Sequence, residues 1–270
     1  MPPSLQLDSA ELAEKYDSVS DKQYQHGLLL LDDLAVQPGQ RVLDIGCGTG
    51  RLGEHVASER VGPRGEVVGI DPLPLRIDIA RRRASANHHV SVGRAEDLSA
   101  FADASFDVVY LNSVYHWLPD KRSVLAGVRR VLKPGGRLGI SVASRERPHD
   151  VQRVLIDALA SHALNSAVVN GSTPHRVSAA ELTEQLDAAG LLLERLELRR
   201  FADHFPDVES VLDFYFASSF GNFLTDYLPD VRARVLDTLQ ARLLARRGPQ
   251  GILLHRNLFF LVASAPQDDR

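Results

Sequence analysis

Between Arg41 and Ala143 the chain alternates two hydrophobic patterns. Short apolar runs, RVLDI, EVVGID, HVSVG, FDVVYLN and RLGISVA, have the length and composition of strands. The intervening stretches over 52–59, 75–87 and 122–132 read as helices. Lys133-Pro134-Gly135-Gly136 closes the last of these, because proline lacks the N–H a helix needs and glycine favours the turn beyond it. Strands and helices in alternation predict βαβ units and a parallel sheet covered on both faces. Upstream, an apolar stripe over 23–34 ends near Pro38-Gly39 and reads as a helix leading into the first strand. Downstream, helical patterns occupy 151–164, 179–189, 208–220 and 231–246, and strand patterns occupy 191–198 and 258–263.

The expected fold class is therefore α/β: a seven-stranded, mainly parallel sheet with helices on both faces and an added helical cap. One domain over 1–270 is the economical division. It comprises a core at 23–143, a helical elaboration at 144–257 and a final strand with tail at 258–270. There is no internal repeat and no long linker, and the softest stretches are 145–149 and 170–176.

Composition narrows the partners. A chain of 270 residues, 44% apolar and 24% charged, can bury its own core without covalent staples. A net charge of -4 gives no general attraction for phosphate backbones or anionic lipid, so nucleic acid is not the expected partner. The runs Arg81-Arg82-Arg83 and Arg129-Arg130 fall in helical segments, where such charges form solvated faces. The single cysteine, Cys47, excludes an intramolecular disulfide and a multi-cysteine metal site, and fits a reducing compartment such as the cytoplasm. No apolar run approaches the ~18 residues of a membrane span, and the start MPPSLQLDSAELAEKYD lacks the apolar segment of a signal peptide. Neither a metal nor a membrane is expected.

The densest chemical signal is RVLDIGCGTG, where an apolar strand enters a glycine-rich turn that opens a helix. Without Cβ atoms, Gly46, Gly48 and Gly50 allow a sharp bend and close approach of a ligand, and the helix start presents free N–H groups. A glycine turn alone is weak evidence. Asp71, at the end of EVVGID, strengthens it, because a carboxylate at the tip of the second strand can accept hydrogen bonds from both hydroxyls of a ribose. The competing role for Asp71 is a helix cap ahead of Pro72 and Pro74.

Five segments in order, VLDIGCGTG, VVGIDP, GRAEDLSAF, SFDVVYLNSVYHWL and VLKPGGRL, make the stretch from about Gln23 to Ala143 resemble the class I S-adenosylmethionine-dependent methyltransferases. The likeness is to their small-molecule group, which includes the ubiquinone and menaquinone methylating enzymes. It implies a Rossmann-like sheet ending in an antiparallel strand pair, S-adenosyl-L-methionine as cofactor, and a small-molecule acceptor methylated on O, N, S or C.

Residue by residue, the resemblance implies that Asp44, Gly46 and Gly48 contact the methionine moiety, Asp71 the ribose and Leu73 the adenine. It sets Ala95 and Glu96 beside the adenine edge, with Asp97 as the alternative carboxylate, and Asn112 at the methionine end. Tyr16 and Tyr24 belong to a segment that in similar enzymes folds over the cofactor, although either could be a packing aromatic. His26 could face the acceptor or pack. Tyr115, His116 and Trp117 fall where relatives build the acceptor pocket. There His116 could serve as a general base, or it could anchor the following helix.

The lone Cys47 reads as a small residue in a tight turn. Its isolation sets aside arsenite methylation, which in this superfamily uses several cysteines. The aromatic run DFYFASSFGNFLTDYL reads as core or as the seam of a homodimer, the alternative being an apolar pocket for a flat or greasy acceptor, and Arg145, Arg147, His149 and Arg176 read as scattered surface charge or as contacts for an anionic group. The rival to catalysis is a regulatory protein that binds the cofactor without turnover. A nucleic-acid amino-methyltransferase would carry D/N-P-P-Y/F/W where this chain has Asn112-Ser113-Val114-Tyr115.

Overall fold

A computed structural model describes residues 3–164 and 174–267; positions 170–173 of the second soft stretch lie outside the described residues. The strands are β1 (Arg41–Ile45), β2 (Glu66–Asp71), β3 (His88–Val92), β4 (Phe106–Asn112), β5 (Leu132–Ala143), β6 (Leu192–Phe205), β7 (Arg247–Gly248) and β8 (Gly251–Ser264). Seven form one sheet in the order β3-β2-β1-β4-β5-β8-β6, and the two-residue β7 pairs with the start of β8. The first five are parallel; β8 runs antiparallel between β5 and β6.

Strand alternation builds two cores. Leu43 and Ile45 of β1, Val109 and Leu111 of β4, and Phe259 and Leu261 of β8 belong to one buried cluster. Their neighbours Val42, Val108, Tyr110, Leu258 and Phe260 belong to the other. Each strand thus presents apolar side chains to both faces, as a sheet sandwiched by helices requires. The first cluster is covered by α5 (Lys121–Val131) and α7 (Ala179–Ala188), and the second by α2 (Asp21–Leu34) and α3 (Arg51–His55). A third core joins α6 (Asp150–Ser161), α8 (Val208–Ser218) and α9 (Pro229–Leu244) to the adjoining ends of β6 and β8, and it constitutes the cap.

Several boundaries differ from the sequence reading. Residues 133–136, expected as a turn, lie within β5, and the helix expected over 52–59 is α3 followed by a π-helical stretch at Val56–Val61. A ten-residue helix, α1 (Ala10–Val19), precedes α2; Ser9 caps it by accepting from the Leu12 N–H. The helix expected over 75–87 is α4 (Pro74–Ala80) followed by one 3-10 turn at Arg81–Arg83, because the chain must turn through Ser85 to reach β3. Strand β6 continues to Phe205 rather than stopping at Leu198, and the final strand begins at Gly251 rather than Leu258, since the two pair continuously from Leu192↔Ser264 to Phe205↔Ile252. Across the extended half of the ribbon Arg256 pairs with Asp203. Among the described residues no helix is long and apolar enough to cross a membrane.

Candidate active site

The strand order reverses between β1 and β4, whose neighbours lie on opposite sides. Open α/β sheets bind ligands at the carboxyl ends of strands flanking such a point. Here β1 runs into the glycine turn. The N–H groups of Gly46 and Cys47 both donate to the Ile70 carbonyl, at 2.7 and 3.0 Å, and lock the turn onto β2. Gly46 has φ 77° and Gly48 φ 56°, conformations an L side chain rarely adopts. A Cβ on Gly46 would collide with Val114, and one on Gly48 would stand 3.3 Å from Tyr16 Cε1. Cys47 is buried between this turn and Gly69, and burial pushes its thiol up, so it is an inert filler of a tight space.

Asp71 holds the turn from the next strand. Its Oδ2 accepts from the Gly48 N–H and its Oδ1 from the Leu73 N–H, each at 3.0 Å. Those bonds organise the turn and the approach to α4, and each oxygen keeps lone-pair capacity toward the cavity. Asp44 is different: it is buried, and its Oδ2 has no hydrogen-bond partner. Burial pushes its carboxyl up to about 7, the Asp71 carboxylate adds to the rise, and the Tyr110 phenol opposes it. A polar oxygen left in this state fits a hydrogen-bond-donating ligand.

A cavity of about 410 Å³ opens over these strand ends. Tyr16, Gly46, Gly48, Asp71, Leu73, Ala95, Glu96, Asn112, His116 and Trp117 all line it. Asp44 and Tyr24 line a small adjoining recess with Tyr16 and Gly46. Of the two candidate carboxylates, Glu96 faces the cavity, whereas Asp97 is exposed and accepts from the Ser99 N–H. The Asn112 amide is already engaged, donating to the Gln23 carbonyl and accepting from Ser141 Oγ; it ties α2 to the tip of β4. Tyr24 packs against α3, edge-on to His55 and under the Arg51 guanidinium.

Tyr115 is not brought to the cavity. Its ring is fully buried in the core and its hydroxyl donates to Gln185 Oε1 at 2.7 Å. His26 likewise packs, its ring 3.9 Å from that of Phe201. His116 does reach the cavity, beside Trp117, with its Nδ1 buried and partnerless. Burial, then the charges of Arg176 and Lys121, push its imidazole down to about 3, so it is neutral and a weak base at neutral pH.

Two residues that the sequence reading did not single out shape the site. Arg76 is buried, lies 4.0 Å over the Tyr16 ring, donates to the Ala217 carbonyl at 2.7 Å and pairs with Asp8 at 3.7 Å. It thereby fastens α1, α4 and α8 together. Arg256 reaches the cavity from β8. Neither has a local signal, since both partners lie far away in sequence. The aromatic run after Asp213 is both core and wall: Phe214, Tyr215, Phe220 and Phe223 line the cavity while packing in the cap. Among the described residues no group of three His, Cys, Asp or Glu could hold a metal ion.

A glycine turn locked at the switch point of a 3-2-1-4-5 sheet, with an acidic residue at the tip of the second strand, defines a nucleoside-binding α/β protein. The profile of the methyltransferase-domain family matches residues 43–140. Nocamycin O-methyltransferase from Saccharothrix syringae is 33% identical over 227 residues, which cover 76% of this chain and 78% of that one. Arsenite methyltransferase from Halobacterium salinarum is 36% identical over 162 residues, 58% of this chain and 38% of that one. The chain thus spans about two fifths of the arsenite enzymes it matches. In fold it resembles phosphoethanolamine N-methyltransferase 2 of Haemonchus contortus in complex with S-adenosyl-L-methionine, with a TM-score of 0.59, 18% identity, and coverage of 96% of this chain and 58% of that one. The chain belongs to the class I S-adenosylmethionine-dependent methyltransferases.

Proposed function

We propose that this protein transfers the methyl group of S-adenosylmethionine to a small-molecule acceptor, as one domain whose cap sets acceptor choice. The carrying observation is that one cavity joins the glycine turn and Asp71 at one end to His116, Trp117 and the cap at the other. The residues present fit the cofactor. The partnerless Asp44 oxygen, with Gly46, Gly48, Tyr16 and Tyr24 beside it, would hold the methionine end; Asp71 would accept from the ribose hydroxyls; Leu73, Ala95 and Glu96 would surround the adenine. When bound, the cofactor supplies a methyl group already activated by positive sulfur. What remains for the chain is to align the reactants and exclude water, which Val114, Trp117 and Phe220 do by walling the cavity. His116, neutral in this setting, serves as a hydrogen-bonding wall rather than a proton sink.

The names of two relatives, nocamycin O-methyltransferase and malonyl-[acyl-carrier protein] O-methyltransferase, support O-methylation as the chemistry. Arsenite is not the acceptor proposed, because a single buried cysteine cannot supply several thiolates. We assign the protein to the cytoplasm on the same cysteine usage, and take its acceptor to be other than nucleic acid on its net charge of -4. Calorimetric titration with S-adenosylmethionine, S-adenosylhomocysteine and NAD tests the reading. NAD is the control because Gly48, Gly50 and Gly53 also satisfy the dinucleotide spacing. Both sulfur nucleosides should bind and NAD should not; the reverse pattern overturns the assignment.

A further inference from the structure

Beyond His116 and Trp117 the cavity is walled by α6, by Pro174 and Arg176 ahead of α7, by α8 and by β8. Apolar groups dominate there, including Leu155, Leu159, Phe214 and Leu224. Two guanidinium groups interrupt them. Arg256 pairs with Asp203 but keeps a buried Nη2 with no hydrogen bond. Arg176 forms no ion pair among the described residues, and its Nε is buried without a partner. Burial lowers Arg176 to about 10, so it stays cationic at neutral pH. Beside them His149 Nε2 and His116 Nδ1 are also buried and unsatisfied. The groups share one neighbourhood: burial, then the charges of Arg256 and Arg176, hold the His149 imidazole well below its ordinary value. Cations and unused donors gathered in an apolar chamber are costly unless an anion completes them.

We propose that the acceptor is an organic acid with an apolar body, whose carboxylate seats against Arg176 and is itself methylated to an ester. The inference rests on the methyl-transfer reading above and adds the substrate class to it. A hydroxyl or ammonium acceptor would have to lose a proton, and this chamber offers poor takers. The His116 and His149 imidazoles are weak bases, burial raises the Tyr215 phenol, Asp226 is already engaged, and no lysine lines the wall. A carboxylate needs no base. One of its oxygens accepts from the guanidinium while the other gives a lone pair to the methyl carbon. The O–C bond forms as the C–S bond breaks, the bonding pair stays on sulfur, and the negative carboxylate and positive sulfonium become a neutral ester and a neutral thioether. No proton moves.

The test uses the full chain and three probes of one skeleton: phenylbutyrate, its methyl ester and phenylbutanol. S-adenosylhomocysteine is titrated first into wild type, Arg176→Gln and Arg176→Lys; failure to bind wild type defeats the methyl-transfer reading itself, separately from this inference. With S-adenosylhomocysteine bound, the acid should bind at least about ten-fold more tightly than the ester or the alcohol. Arg176→Gln should abolish that preference at unchanged S-adenosylhomocysteine affinity, and Arg176→Lys should retain part of it. With methyl-labelled S-adenosylmethionine, the acid should yield label that mild base releases as methanol. Equal or absent binding of the three probes, a preference that survives Arg176→Gln, or base-stable label overturns the proposal. The wild-type comparison stands even if a variant misfolds.

Discussion

The backbone N–H of Gly48 donates to Oδ2 of Asp71 at 3.0 Å, joining the glycine turn to the tip of a strand 23 residues away. The same carboxylate therefore shapes the cavity and faces what enters it. Asp71→Ala should weaken S-adenosylhomocysteine binding by about 1.5–3 kcal/mol, the usual cost of losing a charged hydrogen-bond acceptor. Asp71→Asn should lose less, since one amide oxygen can still accept. Calorimetry on both variants reads the difference, and wild-type affinity in Asp71→Ala would confine this residue to its backbone contacts.

Gly46 should not tolerate a side chain. Gly46→Ala combines a left-handed backbone with a collision against Val114, for a loss on the order of 2–4 kcal/mol in urea unfolding. Adding Val114→Ala should restore the steric part and leave the backbone part. If the double variant is no more stable than the single one, the collision is not the cause.

Asp44 makes stability fall as pH rises. Its folded pKa, about 7, lies above the ordinary value of 3.8, so the folded state holds a proton that the unfolded chain releases. The stabilising contribution is complete below about pH 4 and is lost as pH climbs through about 7. Asp44→Asn removes this dependence. Its unfolding free energy relative to wild type should grow between pH 4.5 and 7.5, toward a limit on the order of 3–4 kcal/mol. Parallel stability curves for the two proteins would contradict the burial argument.

Arg76 supports three helices through a single side chain. Arg76→Ala leaves Asp8 buried without its cation and the Ala217 carbonyl without its donor, a change that costs about 3–5 kcal/mol when a buried pair is broken on one side. Asp8→Ala/Arg76→Ala should cost less than the two single changes added together. A double-mutant cycle by chemical denaturation measures the coupling; additivity would show that the two groups act independently.

The sequence displayed the parallel core well because each strand there is an apolar run closed by a turn signal, and alternation with helices limits the topology. Gly46, Gly48 and Asp71 were legible for a related reason: strand-to-helix turns carry their chemistry locally. The α1 helix was hidden, since among its residues Ala13 alone is buried and no apolar stripe marks it. The far half of β6 was hidden by Arg199, Arg200, Asp203 and His204, polar residues that become strand only when β8 lies alongside. Tyr115, His116 and Trp117 were legible as a cluster, yet a single turn of 3-10 helix sends the first into the core and the other two to the cavity. Side-chain direction over three consecutive residues depends on the turn's winding, which their identities do not reveal.

Strand β8 divides its labour along its length. From Leu258 onward it is held by β5 on one edge and β6 on the other; before that point β6 alone pairs with it along most of its course, and Arg256 turns toward the cavity. Successive side chains on a strand face opposite ways, so removing Asn257 would turn Arg256 to the opposite face while leaving the inner half, from Leu258 onward, in register. A length change at this one point of β8 would therefore alter the wall of the cavity beyond His116, with the strand ends that carry the glycine turn and Asp71 left as they are.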